Sequence, residues 1–170
     1  MLYRALKTAD SNPEPWAKFV WNNKAPPRVK FYVWLLSQGR LQCKANLARK
    51  RIVEGPVCDI CHAADEMAHH VIFGCSAAKQ FWEATQIPTD DSWSVTQLQQ
   101  ITPPTHILAK HFQTFLLLCC WHIWKQRNNS LQEWQDHAPR NSYGMQIEAQ
   151  LWKVRLPKKD RDIAAFGVLL

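Results

Sequence analysis

The stretch GPVCDICHAADEMAHHVIFGC, residues 55–75, holds three of the chain's six cysteines and three of its seven histidines. Cys58 and Cys61 form a C-x2-C pair, whose turn brings two thiolates onto one ion at about 2.3 Å each. Cys75 and one of the histidines complete four ligands, a sulfur-rich set that Zn²⁺ accepts as a closed tetrahedron. His62 directly follows Cys61 and would have to fold back on the turn. His69 and His70 are adjacent and point about 100° apart if helical. The set adopted is Cys58, Cys61, His70 and Cys75, spaced C-x2-C-x8-H-x4-C, with His69 the alternative to His70. Four protein ligands leave no open position for a reacting water, so one structural zinc ion is the expected cofactor.

Working outward, proline and capping signals divide the remaining chain into helices. Residues from Pro13 place Trp16, Phe19 and Val20 on one side of a short helix that the Asn22-Asn23 pair stops. A second helix starts at Pro27 and carries Val29, Tyr32, Val33 and Leu36 at helical spacing up to Gly39. CKANLARKRIV, from Cys43, predicts a third that is short and basic. Beyond the cysteines, Ser76 is expected to cap a helix that ends near Pro88, and a long helix runs from a Thr105 cap through FLLLCCW, apolar on every side. MQIEAQLWKVRL, from Met145, predicts the last helix. Glycine is scarce and no alternating β-type segments recur.

The fold expected is a mainly α, compact multi-helix domain with a small CCHC zinc knuckle between the N-terminal helices and a long central helix. Residues 1–88 hold the first helices and the zinc region, 89–104 a linker with a short helix, and 105–170 a helical region that packs on the first. With 170 residues, 46% of them hydrophobic and nine of them tryptophan, a sizeable core is available.

The formal net charge of +7 is concentrated. Between Lys24 and Val53 stand Lys24, Arg28, Lys30, Arg40, Lys44, Arg49, Lys50 and Arg51 with no acid among them, which points to a polyanion. Arg28, Lys30, Arg40, Lys44, Arg49, Lys50 and Arg51 are therefore candidate nucleic-acid contacts, against the plainer expectation of a solvated basic face. Phe31, Tyr32 and Trp34 lie in the same stretch, where an exposed aromatic could stack on a base and a buried one would serve the core.

Enzymatic readings find little support. A deaminase signature would need His-x-Glu followed by Pro-Cys-x-x-Cys, and the order here is reversed. A two-metal nuclease needs converging carboxylates, whereas the 14 acids are scattered. Glu66 is expected as a helix cap or a solvated residue rather than a general base, and Cys119 and Cys120 beside His111 and His122 as core. No enzyme and no small-molecule substrate are expected. FLLLCCW is too short to span a bilayer, which takes roughly 20 residues. The first residues lack an apolar secretory core, and Arg4 and Lys7 leave a mitochondrial presequence as the alternative to cytoplasm or nucleus. In an intracellular setting the cysteines are thiols or metal ligands.

The order Cys58, Cys61, Glu66, His70, Cys75 and then Trp82 resembles the zinc-binding domain that follows the polymerase in reverse transcriptases of plant non-LTR retrotransposons. The likeness extends upstream to Pro26, Val29, Phe31 and Trp34, a P-x-x-V-x-F-x-x-W block, to Gly39-Arg40-Leu41 and to YRAL at Tyr3. WHIWKQRNN and LWKVRLPKKDRDIAAF resemble the helical tail of such elements. Met67 departs from the family's E-T-x-x-H block, and a methionine cannot donate a hydroxyl hydrogen bond. No Y-x-D-D polymerase turn is present.

The resemblance implies a retrotransposon-derived, non-catalytic, zinc-stabilised binding module. Two partner classes follow. One is protein, by interaction with an unidentified partner or by self-association, in the manner of a regulator or toxin, with Trp93 and Trp134 as anchors because tryptophan is enriched at interfaces. The other is RNA, through the basic segment 24–53.

Overall fold

The computed structural model describes residues 15–90, 92–105, 107 and 109–133, with side chains to residue 129 in the last helix. The helix expected from Met145, and Trp134, lie outside the described residues. Among the described residues there are seven helical elements: α1 (Pro15–Trp21), α2 (Pro27–Ser37), α3 (Lys44–Arg49), a π turn (His70–Gly74), α4 (Ser76–Ala84), a 3-10 turn (Val95–Gln100) and α5 (Ala109–Glu133). Among the described residues the only β pairing is one antiparallel bridge, Val57 with Asp65. The mainly α expectation is borne out, with the cysteine-rich segment between the N-terminal helices and α5.

α5 is the axis, 25 residues and therefore about 37 Å long. Phe115, Leu116 and Leu117 are buried in succession, which a helix allows only when neighbours cover more than one face. α2 and the π turn supply that cover, α4 packs on the π turn, and the 3-10 turn sits against α1 and α2. α2 buries Val29, Tyr32, Val33 and Leu36. The Tyr32 hydroxyl donates to the Cys120 carbonyl at 3.0 Å, and its ring meets Trp121 edge-on at 5.2 Å. Burial pushes the Tyr32 phenol well above its usual pKa, so it stays a donor.

Three helices end in the same way. After α2, Gly39 N–H bonds to Leu36 O and Arg40 N–H to Leu35 O, with Gly39 at φ 61. This paired closure needs a left-handed residue, and glycine takes it most cheaply. α3 and α4 repeat the pattern with Arg51 (φ 59) and Gln86 (φ 54).

Two boundaries differ from the expectation. The long helix begins at Ala109, not Thr105, because Pro103-Pro104 leads into another turn in which Ile107 N–H bonds to Pro104 O. Cys75, not Ser76, is the N-cap of α4. The sulfur of Cys75 lies where the backbone N–H groups of Ala77 and Ala78 act on it, so a candidate metal ligand occupies the capping place.

Candidate metal centre

Cys58, Cys61, His70 and Cys75 converge, with all four ligand atoms within 4.8 Å of one another. Cys58 Sγ lies 4.0 Å from Cys75 Sγ, and Cys61 Sγ lies 3.3 Å from His70 Nε2. Two sulfurs at opposite corners of a zinc tetrahedron are about 3.8 Å apart, so the four groups could hold zinc with little movement.

Local structure explains the convergence. The Val57–Asp65 bridge, with Cys58 N–H to Ala64 O at 2.9 Å and Glu66 N–H to Pro56 O at 2.7 Å, closes a short loop around the C-x2-C pair. His62 turns the chain at φ 51, with its N–H on Cys58 O, and its side chain is exposed, away from the ligand role. The histidine and the last cysteine are set by the π turn. Cys75 N–H bonds to His70 O, five residues back, at 2.7 Å. This wider turn carries position i+5 further under position i than an α turn would, which gives the H-x4-C spacing its use. His69 instead places its ring 5.8 Å from Phe73. Gly74 lies under the His70 ring, where an added Cβ would stand 3.1 Å from Nδ1.

The electrostatics suit a cation. Burial pushes the Cys58 thiol up to about 12, although the N–H groups of Cys61 and Ile60 act against it, and burial also raises Cys75. Burial pushes Cys61 up as well, but the N–H groups of Ala63 and Ala64 and the neighbouring thiols take it below its usual value. Burial lowers His70, favouring the neutral imidazole that a metal requires. Clustered buried thiols resist losing protons in succession, and a bound dication reverses that by replacing them. The backbone N–H groups beside the sulfurs are the outer support expected around thiolate ligands.

Glu66 stands behind the loop and is almost fully buried, at 1% exposure. Of the two expectations for this residue, a helix cap or a solvated group, the structure gives the cap, because the carboxylate is buried and engaged. Oε1 accepts the Lys44 N–H at 2.8 Å, and its backbone carbonyl accepts the Ala45 N–H at 3.2 Å, so Glu66 caps α3 from 22 residues away. Arg127 of α5 holds the same carboxylate with two donors, Nε to Oε2 at 3.1 Å and Nη2 to Oε1. The Arg127 guanidinium also lies over the Trp124 ring at 5.1 Å. Arg127 was not singled out by the sequence, where the available signal was a cation near the end of an apolar helix. Met67 is the residue before the short helical run that starts at Ala68, and its carbonyl accepts the Val71 N–H at 3.0 Å. This is an N-cap position, where threonine would also offer a hydroxyl.

The basic candidates spread over three elements. Arg28 is exposed on α2 with its guanidinium 5.8 Å over the Trp121 ring, and Lys30 donates to the Trp21 carbonyl at 3.0 Å. Arg40 is exposed after α2, and Arg49, Lys50 and Arg51 are exposed at the end of α3. Lys44 is tied to Asp59 of the metal loop at 2.6 Å. Trp93 is half-buried and packs against the core. No helix among the described residues is long and apolar enough to cross a membrane.

Residues 1–82 match a family described as zinc-binding in reverse transcriptase, a span that contains all four converging groups. The resemblance drawn from the sequence is borne out over that span. An Arabidopsis thaliana protein named as a ribonuclease H protein is 29% identical over 81 residues, and the aligned stretch covers 45% of this chain and 13% of that relative. No solved structure matches.

Proposed function

We propose that this chain is a non-catalytic binding module of retrotransposon origin, held by one structural zinc on Cys58, Cys61, His70 and Cys75, and that it takes nucleic acid along the basic segment 24–53. The observation that carries the partner class is the exposure of Arg28, Arg40, Arg49, Lys50 and Arg51 across a stretch without an acid. The match to a reverse-transcriptase family supports it, since such an enzyme works on nucleic acid. The closed ligand set and the engaged Glu66 support a structural rather than catalytic metal, because neither offers a site for an activated water.

A protein partner is the second reading, supported by Trp21, 46% exposed at the end of α1. The tryptophan surplus itself supports it less than expected. Trp16 and Trp82 are buried, and Trp34, Trp93, Trp121 and Trp124 pack against the core.

The test is salt dependence. Binding of an RNA oligonucleotide should weaken steeply with salt, and changing Arg49, Lys50 and Arg51 together to Gln should flatten the slope by up to about three units through lost counterion release. No binding at low salt, or binding indifferent to the triple change, would contradict this reading.

A further inference from the structure

The outward side of α2 carries an aromatic pair, Phe31 and Trp34, of which burial explains only Trp34. Val29, Tyr32, Val33 and Leu36 form the buried stripe, while Phe31 is 53% exposed. Its ring stacks on Trp34, with centroids 6.0 Å apart and planes 26° from parallel. Trp34 is half-buried and packed against the core, so it orders the Phe31 ring before any ligand arrives. Less freedom is then lost on binding. Arg28 stands one turn before Phe31 on the same side and Lys24 precedes the helix, both exposed. Lys30 ties the exposed Trp21 to this end of α2 through its carbonyl.

The chemistry of this patch selects one kind of occupant. A helical protein partner would need an apolar row at i, i+3, i+4 and i+7. On the outward side of α2 Phe31 is the one large apolar side chain that stands exposed, while Trp34 and Leu35 are half-buried against the core, with Arg28 and Lys30 beside them. An ordered aromatic ring among cations suits a polyanion that also offers flat faces. Unpaired bases have such faces, and paired bases in a duplex hide them against their neighbours. We infer that Phe31 and Trp34 form a stacking platform for the bases of a single-stranded nucleic acid, with Arg28 and Lys24 meeting its phosphates. This rests on the nucleic-acid reading above and adds strand selectivity to it.

The test measures binding of the zinc-loaded full chain to a fluorescent single-stranded uridine oligonucleotide and to an RNA duplex of equal length, at low and moderate salt. The single strand should bind more tightly. Phe31→Ala should weaken single-strand binding about tenfold, the scale of one lost base stack, and leave the salt slope unchanged. Phe31→Trp should retain affinity. Both changes are at a solvent-facing position, and circular dichroism checks that the helices persist. If single strand and duplex bind equally and Phe31→Ala changes nothing, the platform is overturned while the polyanion reading stands on its own salt slope. Absence of binding to either overturns both. Self-association that depends on Phe31, without RNA binding, would make the patch a protein contact and also overturn the inference.

Discussion

Among residues 55–67 the side chains removed from solvent are Cys58 and Glu66, a candidate ligand and an ion-paired carboxylate. Among residues 112–123 they are Phe112, Phe115, Leu116, Leu117, Cys119, Cys120 and Ile123 with a few polar neighbours. The second stretch is held by apolar burial, worth roughly 1.5–3 kcal/mol for each large side chain. The first has almost no such term. Apart from half-buried Ile60 and Cys61 it consists of exposed His62, Ala63, Ala64 and Asp65 around a turn, and under the proposed function a metal on the sulfurs is what orders it. On that proposal one chain uses two sources of stability, and Glu66 with Arg127 connects the two regions.

The largest expected effect comes from removing the metal or one ligand. Structural zinc contributes on the order of 10 kcal/mol in small domains, far more than the loop can recover from burial. With a chelator, or in Cys58→Ser, the amides of Cys58, His62 and Glu66 should lose hydrogen-exchange protection while those inside α2 and α5 keep theirs. Simultaneous loss in both regions would show that they are one cooperative unit. Retention in both would remove the metal from the account.

Arg127→Met probes the connection. It leaves the Glu66 carboxylate buried without its cation, which typically costs about 3–5 kcal/mol. Thermal unfolding should move down accordingly, and the double change Glu66→Gln with Arg127→Met should recover part of the loss. If the two changes simply add, the pair is not the connection proposed.

How far this was readable from the sequence follows the same division. The buried stripe of α2, the all-round apolar middle of α5 and the Cys58, Cys61, Cys75 spacing are local patterns, and local patterns survive in a linear reading. The Glu66 to Arg127 pair joins residues 61 apart, and no periodicity connects them. The π turn was hidden for a different reason. Its residues look like an ordinary helix, and only the Cys75 N–H bonding to His70 O reveals the wider turn that brings the two together. The end of α3 was hidden too, because Arg51 takes a left-handed position that a glycine would have announced.

The smallest expected effect concerns Met67. The resemblance marked it as a departure, and the structure supplies the reason threonine would suit the position, since Met67 precedes the helical run that carries His70. Met67→Thr should stabilise the loop by about 0.5–2 kcal/mol, the usual scale of an N-cap, read as slower exchange at the His69 or His70 amide, which the new hydroxyl would accept. No gain would mean the cap is already met by other groups.

If one zinc on Cys58, Cys61, His70 and Cys75 orders the loop, the metal content of three proteins will show it. Native mass spectrometry of the chain purified without added metal, alongside His69→Ala and His70→Ala, should find one zinc per chain in the first two and a large loss in the third. A folded chain without metal, or a zinc that survives His70→Ala and is lost in His69→Ala, would contradict it.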